Sequence, residues 1–172
     1  MWDPAAWLAE LGGSLLARSE GNDARAVGLA LLHRVAENEA GIGGRAESTR
    51  AAIAAGDVDL ARRPAPDPEG LEAPWLRASA NAAAAAVAEA EARWAEAVAR
   101  YTTSLALWEE LGYPNKLPVE KIGLGRCLIH VGRTEEAIAI LRAARVTCEA
   151  LGAYIRIAEI DRLVADARQA PA

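Results

Sequence analysis

The amino-acid sequence predicts an all-α protein built from antiparallel helical hairpins. Alanine supplies 42 of the 172 residues, and alanine has the highest intrinsic helix propensity of all residues. The aromatic residues that strands favour make up 5% of the chain, and phenylalanine is absent from the sequence. Glycine- and proline-containing breaks divide the chain into amphipathic segments of helical length.

Residues 1–62 are predicted to form an N-terminal helical region. Glycine-containing turns separate its helices, and we expect the region to be either a set of degenerate repeats or a helical cap. Residues 63–70 contain three prolines, which are incompatible with a regular helix interior, so this segment is predicted to be an irregular surface connection. The helices predicted before it cover residues 2–19, 24–38, 45–55 and 58–62.

Residues 71–172 are predicted to form further hairpins followed by a capping helix. The last helix carries apolar residues such as Ile157, Ile160 and Leu163 on one side and charged residues on the other. This pattern is typical of a helix that covers the end of a repeat array. The first helix predicted in this region starts at Leu71 or Pro74 and ends at Ala90. The other predicted helices cover residues 92–111, 117–131, 135–151 and 153–168.

An internal repeat appears when the sequence is shifted by 40 residues. Residues 93–112 and 133–152 are then identical at 7 of 20 positions. The repeat aligns Ala97 with Ala137, and small residues at such positions allow two helices of a hairpin to approach closely. Each hairpin would leave an apolar side exposed, which the next hairpin covers.

In the repeat unit over residues 115–152, Leu124-Gly125, Gly132 and Ala137 follow a spacing that resembles a tetratricopeptide repeat. The resemblance is clear over 115–152, weaker over 74–112 and weakest over 1–62. It implies hairpins stacked as a right-handed solenoid, although the terminal proline of the motif is missing here. The matching residues are Leu124, Gly125, Leu128, Gly132, Ala137, Leu141 and Ala144.

Residues 74–168 are also similar to the C-terminal repeat region of bacterial LuxR-type, AAA-type and cyclase-linked multidomain regulators. The shared phrases are Leu124-Gly125-Arg126, then Gly132 to Ala137, then Ala150 to Gly152. The resemblance implies a non-catalytic scaffold or regulatory module that binds a protein or peptide. The chain contains no phosphate-binding Walker motif.

Tryptophans surround the alanine run at residues 82–86. Alanines occupy positions there at which the repeat motif has bulky residues, so this unit is expected to be thin. We therefore expect Trp75, Trp94 and Trp108 to fill the gaps that the alanines leave. If exposed, they would instead be interface anchors.

Charge and cysteine content limit the partners and the location. Residues 1–72 carry 7 basic and 12 acidic groups and account for the net charge of −5. The chain therefore lacks the basic surface that direct nucleic-acid binding requires. Neither a signal-peptide pattern nor a membrane-spanning apolar run is present in the sequence. The two cysteines lie on predicted packed helix faces, so a cytoplasmic protein with reduced thiols is expected.

The densest positive cluster of the sequence consists of Lys116, Lys121, Arg126 and His130, and Arg133 lies nearby. Arg126 and His130 are four residues apart and share one helix face. First helices of repeat hairpins line the concave groove, so we predict that this cluster binds a partner there. Arginine could hold a partner carboxylate through two parallel hydrogen bonds. The alternative interpretation is a solvated helix face.

Other classes of function remain as alternatives. Cys127, His130 and Cys148 could contribute to a metal site, although zinc needs three or four converging ligands. Glu89 and Glu91 point to different faces of a helix, so they do not form the paired carboxylates of a hydrolase. We therefore predict neither catalytic residues nor a cofactor, and keep a small-molecule-binding protein or an unrecognised enzyme as the alternative. An unpaired N-terminal hairpin could also support a homodimer.

Overall fold

The computed structural model describes residues 45–54, 56–62 and 68–169. The helices predicted over 2–19 and 24–38 lie outside the described residues. Within the described part of the chain, 84% of the residues are helical and no strand is present. The predicted all-α class is therefore confirmed for this part.

The described helices begin and end within about two residues of the predicted bounds. Pro74 and Pro118 lie in the first turns of their helices, where the missing proline N–H removes no helical hydrogen bond. A short 3-10 helix, Pro68–Gly70, occupies the end of the proline-rich segment. The α-helices are α1 (Arg45–Ala54), α2 (Val58–Arg62), α3 (Pro74–Ala90), α4 (Trp94–Glu110), α5 (Leu117–His130), α6 (Thr134–Leu151) and α7 (Tyr154–Gln169).

Tight turns join the helices from α3 to α7. Gly112, Gly132 and Gly152 have positive φ angles of 72°, 78° and 69°, a conformation that glycine adopts without steric cost. Ala92 takes the same conformation with φ 58° in the turn between α3 and α4. Ala92 aligns with Gly132 in the 40-residue repeat, so the two turns share a backbone path although their residues differ.

Helices that follow one another in the sequence pack against one another. The contacts run from α3 to α4, α4 to α5, α5 to α6, and α6 to α7, and α5 also touches both α3 and α7. At the other end of the described chain, α1 packs against α2 and α3. Every described helix therefore lies against its neighbours along the chain.

Glycines of α5 allow two neighbouring helices to come close. A β-carbon at Gly123 would lie 2.4 Å from Tyr101 Cζ on α4, and one at Gly125 would lie 2.6 Å from Leu141 Cγ on α6. Both distances are too short for real carbon atoms. The small residues Ala97 and Ala137, which the repeat predicts at helix contacts, are fully buried.

The buried side chains form three clusters. The first joins α3 to α6 and includes Tyr101 and Leu128. The second joins α5, α6 and α7 around Ile160, so α7 covers apolar surface of α5 and α6. The third joins α1, α2 and α3 and includes Leu60. None of the described helices is both long and apolar enough to cross a membrane.

The three tryptophans fill gaps only in part. Trp108 is buried at 4% exposure, and Trp94 packs against the first cluster. Trp75 is 38% exposed at the start of α3. The gap-filling expectation is therefore not met by Trp75.

Candidate functional site

A cavity of about 210 Å³ opens where α5 and α7 meet the turn between α3 and α4. We call it the α5–α7 cavity. The helix ends place its lining residues, because the C-terminal ends of α3 and α5 lie beside the C-terminal half of α7. The lining residues are Glu89, Trp94, Arg126, Ile129, His130, Leu163, Asp166 and Ala167.

Arg126 is held by carboxylates from two other helices. Its Nε donates to Oε1 of Glu89 at 2.6 Å and its Nη2 to Oε2 of Glu89 at 3.3 Å. Its Nη1 donates to Oε1 of Glu159 on α7 at 2.8 Å. The hydroxyl of Tyr101 donates to Oε2 of Glu89 at 2.7 Å. This network connects α5 to α3, α4 and α7.

The network holds its members in defined protonation states. Burial alone would lower the pKa of Arg126, but the hydrogen bonds and charge of Glu89, with Glu159, raise it further than burial lowers it. Burial, followed by the negative charge of Glu89, raises the pKa of Tyr101 well above its ordinary value. Arg126 is therefore a permanent cation, and Tyr101 remains a neutral hydrogen-bond donor.

The Trp94 and His130 rings stack against each other in the wall of the cavity. Their centroids are 3.8 Å apart and their planes differ by 6°. Ile129, Leu163 and Ala167 extend this wall with aliphatic surface. The cavity therefore offers a largely apolar surface beside its charged groups.

The cavity has more negative than positive side chains. Glu89 and Asp166 are the two carboxylates among its lining residues, and Arg126 is the one guanidinium. Glu159 adds a further carboxylate at the other side of Arg126. Within the described part of the chain, the exposed carboxylate of Asp166 has no ion-pair partner, so its charge faces solvent.

The structure brings together two of the four predicted groove residues. Arg126 and His130 both line the α5–α7 cavity. Lys116 lies elsewhere, with its Nζ 2.8 Å from Oε1 of Glu47 on α1. Lys121 has its Nζ 3.6 Å from Oε1 of Glu109 on α4. The four side chains therefore do not form one cluster.

A buried ion pair joins α1 to α5 on a different side of α5. Nη2 of Arg50 lies 2.8 Å from Oε1 of Glu120, whose side chain is 2% exposed. Burial raises the pKa of Glu120, and the charge of Arg50 offsets part of this effect. The pair therefore ties α1 to α5.

The alternative metal site does not assemble. Cys127 belongs to the first buried cluster and Cys148 to the second, while His130 stacks on Trp94. Within the described ranges, no group of three or more histidine, cysteine or acidic side chains converges on one point. Burial, with the charge of Glu89, raises the pKa of the Cys127 thiol to about 12, which is typical of a packed, unreactive cysteine.

A second cavity, of about 450 Å³, lies between the 3-10 helix, α3 and α4. Among its polar residues, Asn81 donates to the carbonyl of Arg77 and accepts from Arg100. It contains none of the predicted site residues. The α5–α7 cavity is therefore the better candidate site.

Sequence reasoning overlooked Glu89, Trp94 and Asp166 as site residues. For Glu89 the sequence offers only its spacing from Glu91, which does not point to this cavity. Trp94 was assigned to gap filling. Asp166 had no signal in the sequence, since its place in the cavity depends on how α7 packs.

Comparison with known proteins does not point to a function for this chain. No protein-family model, curated protein or solved structure matches the chain. The geometry of the α5–α7 cavity therefore carries the functional inference.

Proposed function

We propose that this chain is a non-catalytic interaction module that binds a protein or peptide partner in the α5–α7 cavity. The observation that carries the proposal is the cavity wall, in which Arg126, Ile129 and His130 come from one face of α5. That helix is the first helix of the unit that most resembles a tetratricopeptide repeat. In such arrays the first helices line the groove in which a partner docks.

The size of the cavity favours a peptide side chain over a complete small molecule. Small-molecule sites commonly have volumes of about 300–1,000 Å³, and this cavity has about 210 Å³. A single anchoring side chain of a larger partner fits this volume. Interfaces typically gain most of their energy from a few such anchors.

The packing of α5 and α6 supports the tetratricopeptide-like, right-handed solenoid as part of the proposal. The motif residue Gly125 gives Leu141 room to pack against α5, and the motif residue Ala137 is fully buried. In this arrangement α7 is the cap of the array. Successive neighbour contacts are what a repeat array requires.

The chemistry of the cavity supports a binding role over a catalytic one. Both oxygens of Glu89 accept hydrogen bonds from Arg126 and Tyr101, so this carboxylate is poorly placed to accept a proton from a substrate. Cys127 is a buried thiol whose pKa is about 12. We further propose a regulatory role in the cytoplasm, consistent with the buried free thiols of Cys127 and Cys148.

Selection of peptides from a displayed random library against the full chain tests this function. We expect binders whose backbone-amide chemical-shift changes map to the residues around the α5–α7 cavity. His130→Ala removes the ring stack and should weaken those binders several-fold. Val131→Ala changes an exposed neighbour outside the cavity and should leave binding unchanged. A library without binders, or binders that map elsewhere, would contradict the proposal.

A further inference from the structure

We propose that the α5–α7 cavity accepts a basic side chain, arginine or lysine, from the partner peptide. This inference rests on the proposed binding function and specifies its ligand. It reverses the charge that the sequence suggested, because the positive cluster around Arg126 had pointed to a partner carboxylate.

The internal ion pairs of Arg126 give the first argument. Glu89 and Glu159 contact its guanidinium from two sides, at 2.6 Å and 2.8 Å. Two carboxylates therefore surround one cation, and the positive charge that would attract an anion is more than balanced. Three of the five guanidinium N–H groups of Arg126 already donate to these two glutamates, so an incoming carboxylate would meet a cation whose charge is already compensated.

Asp166 gives the second argument. Asp166 lines the cavity and is exposed, and its carboxylate has no ion-pair partner within the described residues. A guanidinium or ammonium group entering from solvent could pair with it directly. The charge of the site is thus complementary to a cation.

The apolar wall gives the third argument. Arginine and lysine bury their methylene stems along apolar surface while the charged head stays near water or a carboxylate. Trp94, Ile129 and Leu163 provide that surface next to Asp166. The indole of Trp94 also favours cations near its ring. Apolar wall and exposed carboxylate together match one long basic side chain.

Oriented peptide libraries test the side-chain class. Three libraries with randomised flanks carry arginine, its uncharged isostere citrulline, or glutamate at the fixed central position. We expect the full chain to enrich the arginine library over the other two. The selected peptides should shift the NMR signals of the Trp94 indole N–H and the Ala167 amide.

Two matched variants then test whether Asp166 is the carboxylate that attracts the basic side chain. Asp166→Asn should weaken the arginine peptides by about fivefold, the effect of an exposed ion pair worth about 1 kcal/mol, and leave citrulline peptides unchanged. Glu135→Gln removes an exposed carboxylate on α6 that lies outside the cavity, and should change neither. Circular dichroism checks that both variants stay folded.

Each outcome bears on a different claim. Glutamate or citrulline peptides that bind at the same residues as well as arginine peptides would overturn the basic side chain and leave the interaction module intact. Equal losses in Asp166→Asn and Glu135→Gln would also overturn it, because the attraction would then come from the overall charge. A failure of all three libraries to bind would overturn the proposed function as well.

Discussion

Gly125 marks the closest approach of α5 and α6. A β-carbon there would lie 2.6 Å from Leu141 Cγ and 2.7 Å from Leu141 Cδ2, in a fully buried position. Gly125→Ala should therefore destabilise the fold by about 1–2 kcal/mol, since overpacking costs more than the gain in helix propensity. Urea unfolding measures the change. Gly70→Ala, with open space around the new carbon, should change stability by less than about 0.5 kcal/mol.

Ala92 is a position at which, in contrast to Gly125, glycine should be more stable than alanine. Its φ of 58° is the left-handed region, which costs a residue with a β-carbon about 1–2 kcal/mol. Ala92→Gly should stabilise the protein by about 0.5–1 kcal/mol after the greater flexibility of unfolded glycine is subtracted. Ala106→Gly, on the exposed face of α4, should instead destabilise it by about 1 kcal/mol. A melting temperature that falls in both variants would argue against the left-handed turn.

The raised pKa of the Cys127 thiol predicts that the folded protein loses stability at alkaline pH. Burial raises its pKa from 9.0 to about 12, so the folded protein keeps a proton that the unfolded chain releases between these pH values. Stability from this group is complete below pH 9 and falls by up to about 1.4 kcal/mol per pH unit above it. Unfolding curves of Cys127→Ala should show a shallower decline across this range. At pH 7 the same variant reports only the packing cost, and parallel alkaline declines would refute the assignment.

Residues that act through size could be predicted from the sequence, and residues that act through distant partners could not. The repeat identified Ala97 and Ala137, and the resemblance to a tetratricopeptide repeat included Gly125, because close helix contacts need small side chains at fixed spacing. The pairing of Arg50 with Glu120 joins residues 70 positions apart. Such a pair depends on how α1 lies over α5, which local sequence patterns do not encode.

At the scale of the element, α7 packs against its neighbours through one apolar face. Ile160 is fully buried against α5 and α6. Ile160→Ala should cost about 2–4 kcal/mol, through lost transfer energy and the cavity left behind. Val146→Ala removes methyl groups from a side chain that is 66% exposed and should cost less than about 0.5 kcal/mol. Chemical unfolding compares them, and similar losses would mean that α7 does not pack as described.

The bounds of the helices were predictable because local signals set them. Glycines end α4, α5 and α6 by adopting positive φ, and prolines mark the first turns of α3 and α5. The turn at Ala92 has no such glycine, and the predicted start of α4 at residue 92 was two residues too early. Helix existence followed from composition and periodicity, and helix ends followed wherever a residue with special backbone geometry was present.

At the scale of the whole molecule, neighbour contacts predict graded stability. Among the described helices, α7 packs against α6 and α5, and it shares only the lining of the α5–α7 cavity with α3 and α4. Native-state hydrogen exchange of Ile160→Ala should therefore show faster exchange in α6 and α7 while α3 and α4 keep most of their protection. Equal acceleration in all helices would show that the protein unfolds as one cooperative unit. The unchanged protein at the same pH is the reference.

The architecture was thus more accessible to sequence reasoning than the site. Helices and repeat spacing are local or periodic, and they are written into the order of residues. The α5–α7 cavity is built from the ends of three helices and the start of a fourth, so its members are scattered over 79 positions between Glu89 and Ala167. Arg126 and His130 were found because they share one helix face, whereas Asp166 reaches them only through the packing of α7.

The stacked rings of Trp94 and His130 give the protein an optical reporter at its candidate site. The emission of an indole depends on what touches its ring, and here the contact is an imidazole 3.8 Å away between the start of α4 and the end of α5. An occupant that moves either ring will change that emission. A variant that retains Trp94 as its sole tryptophan would therefore signal occupancy of the cavity without an added label, and would let binding be followed in real time.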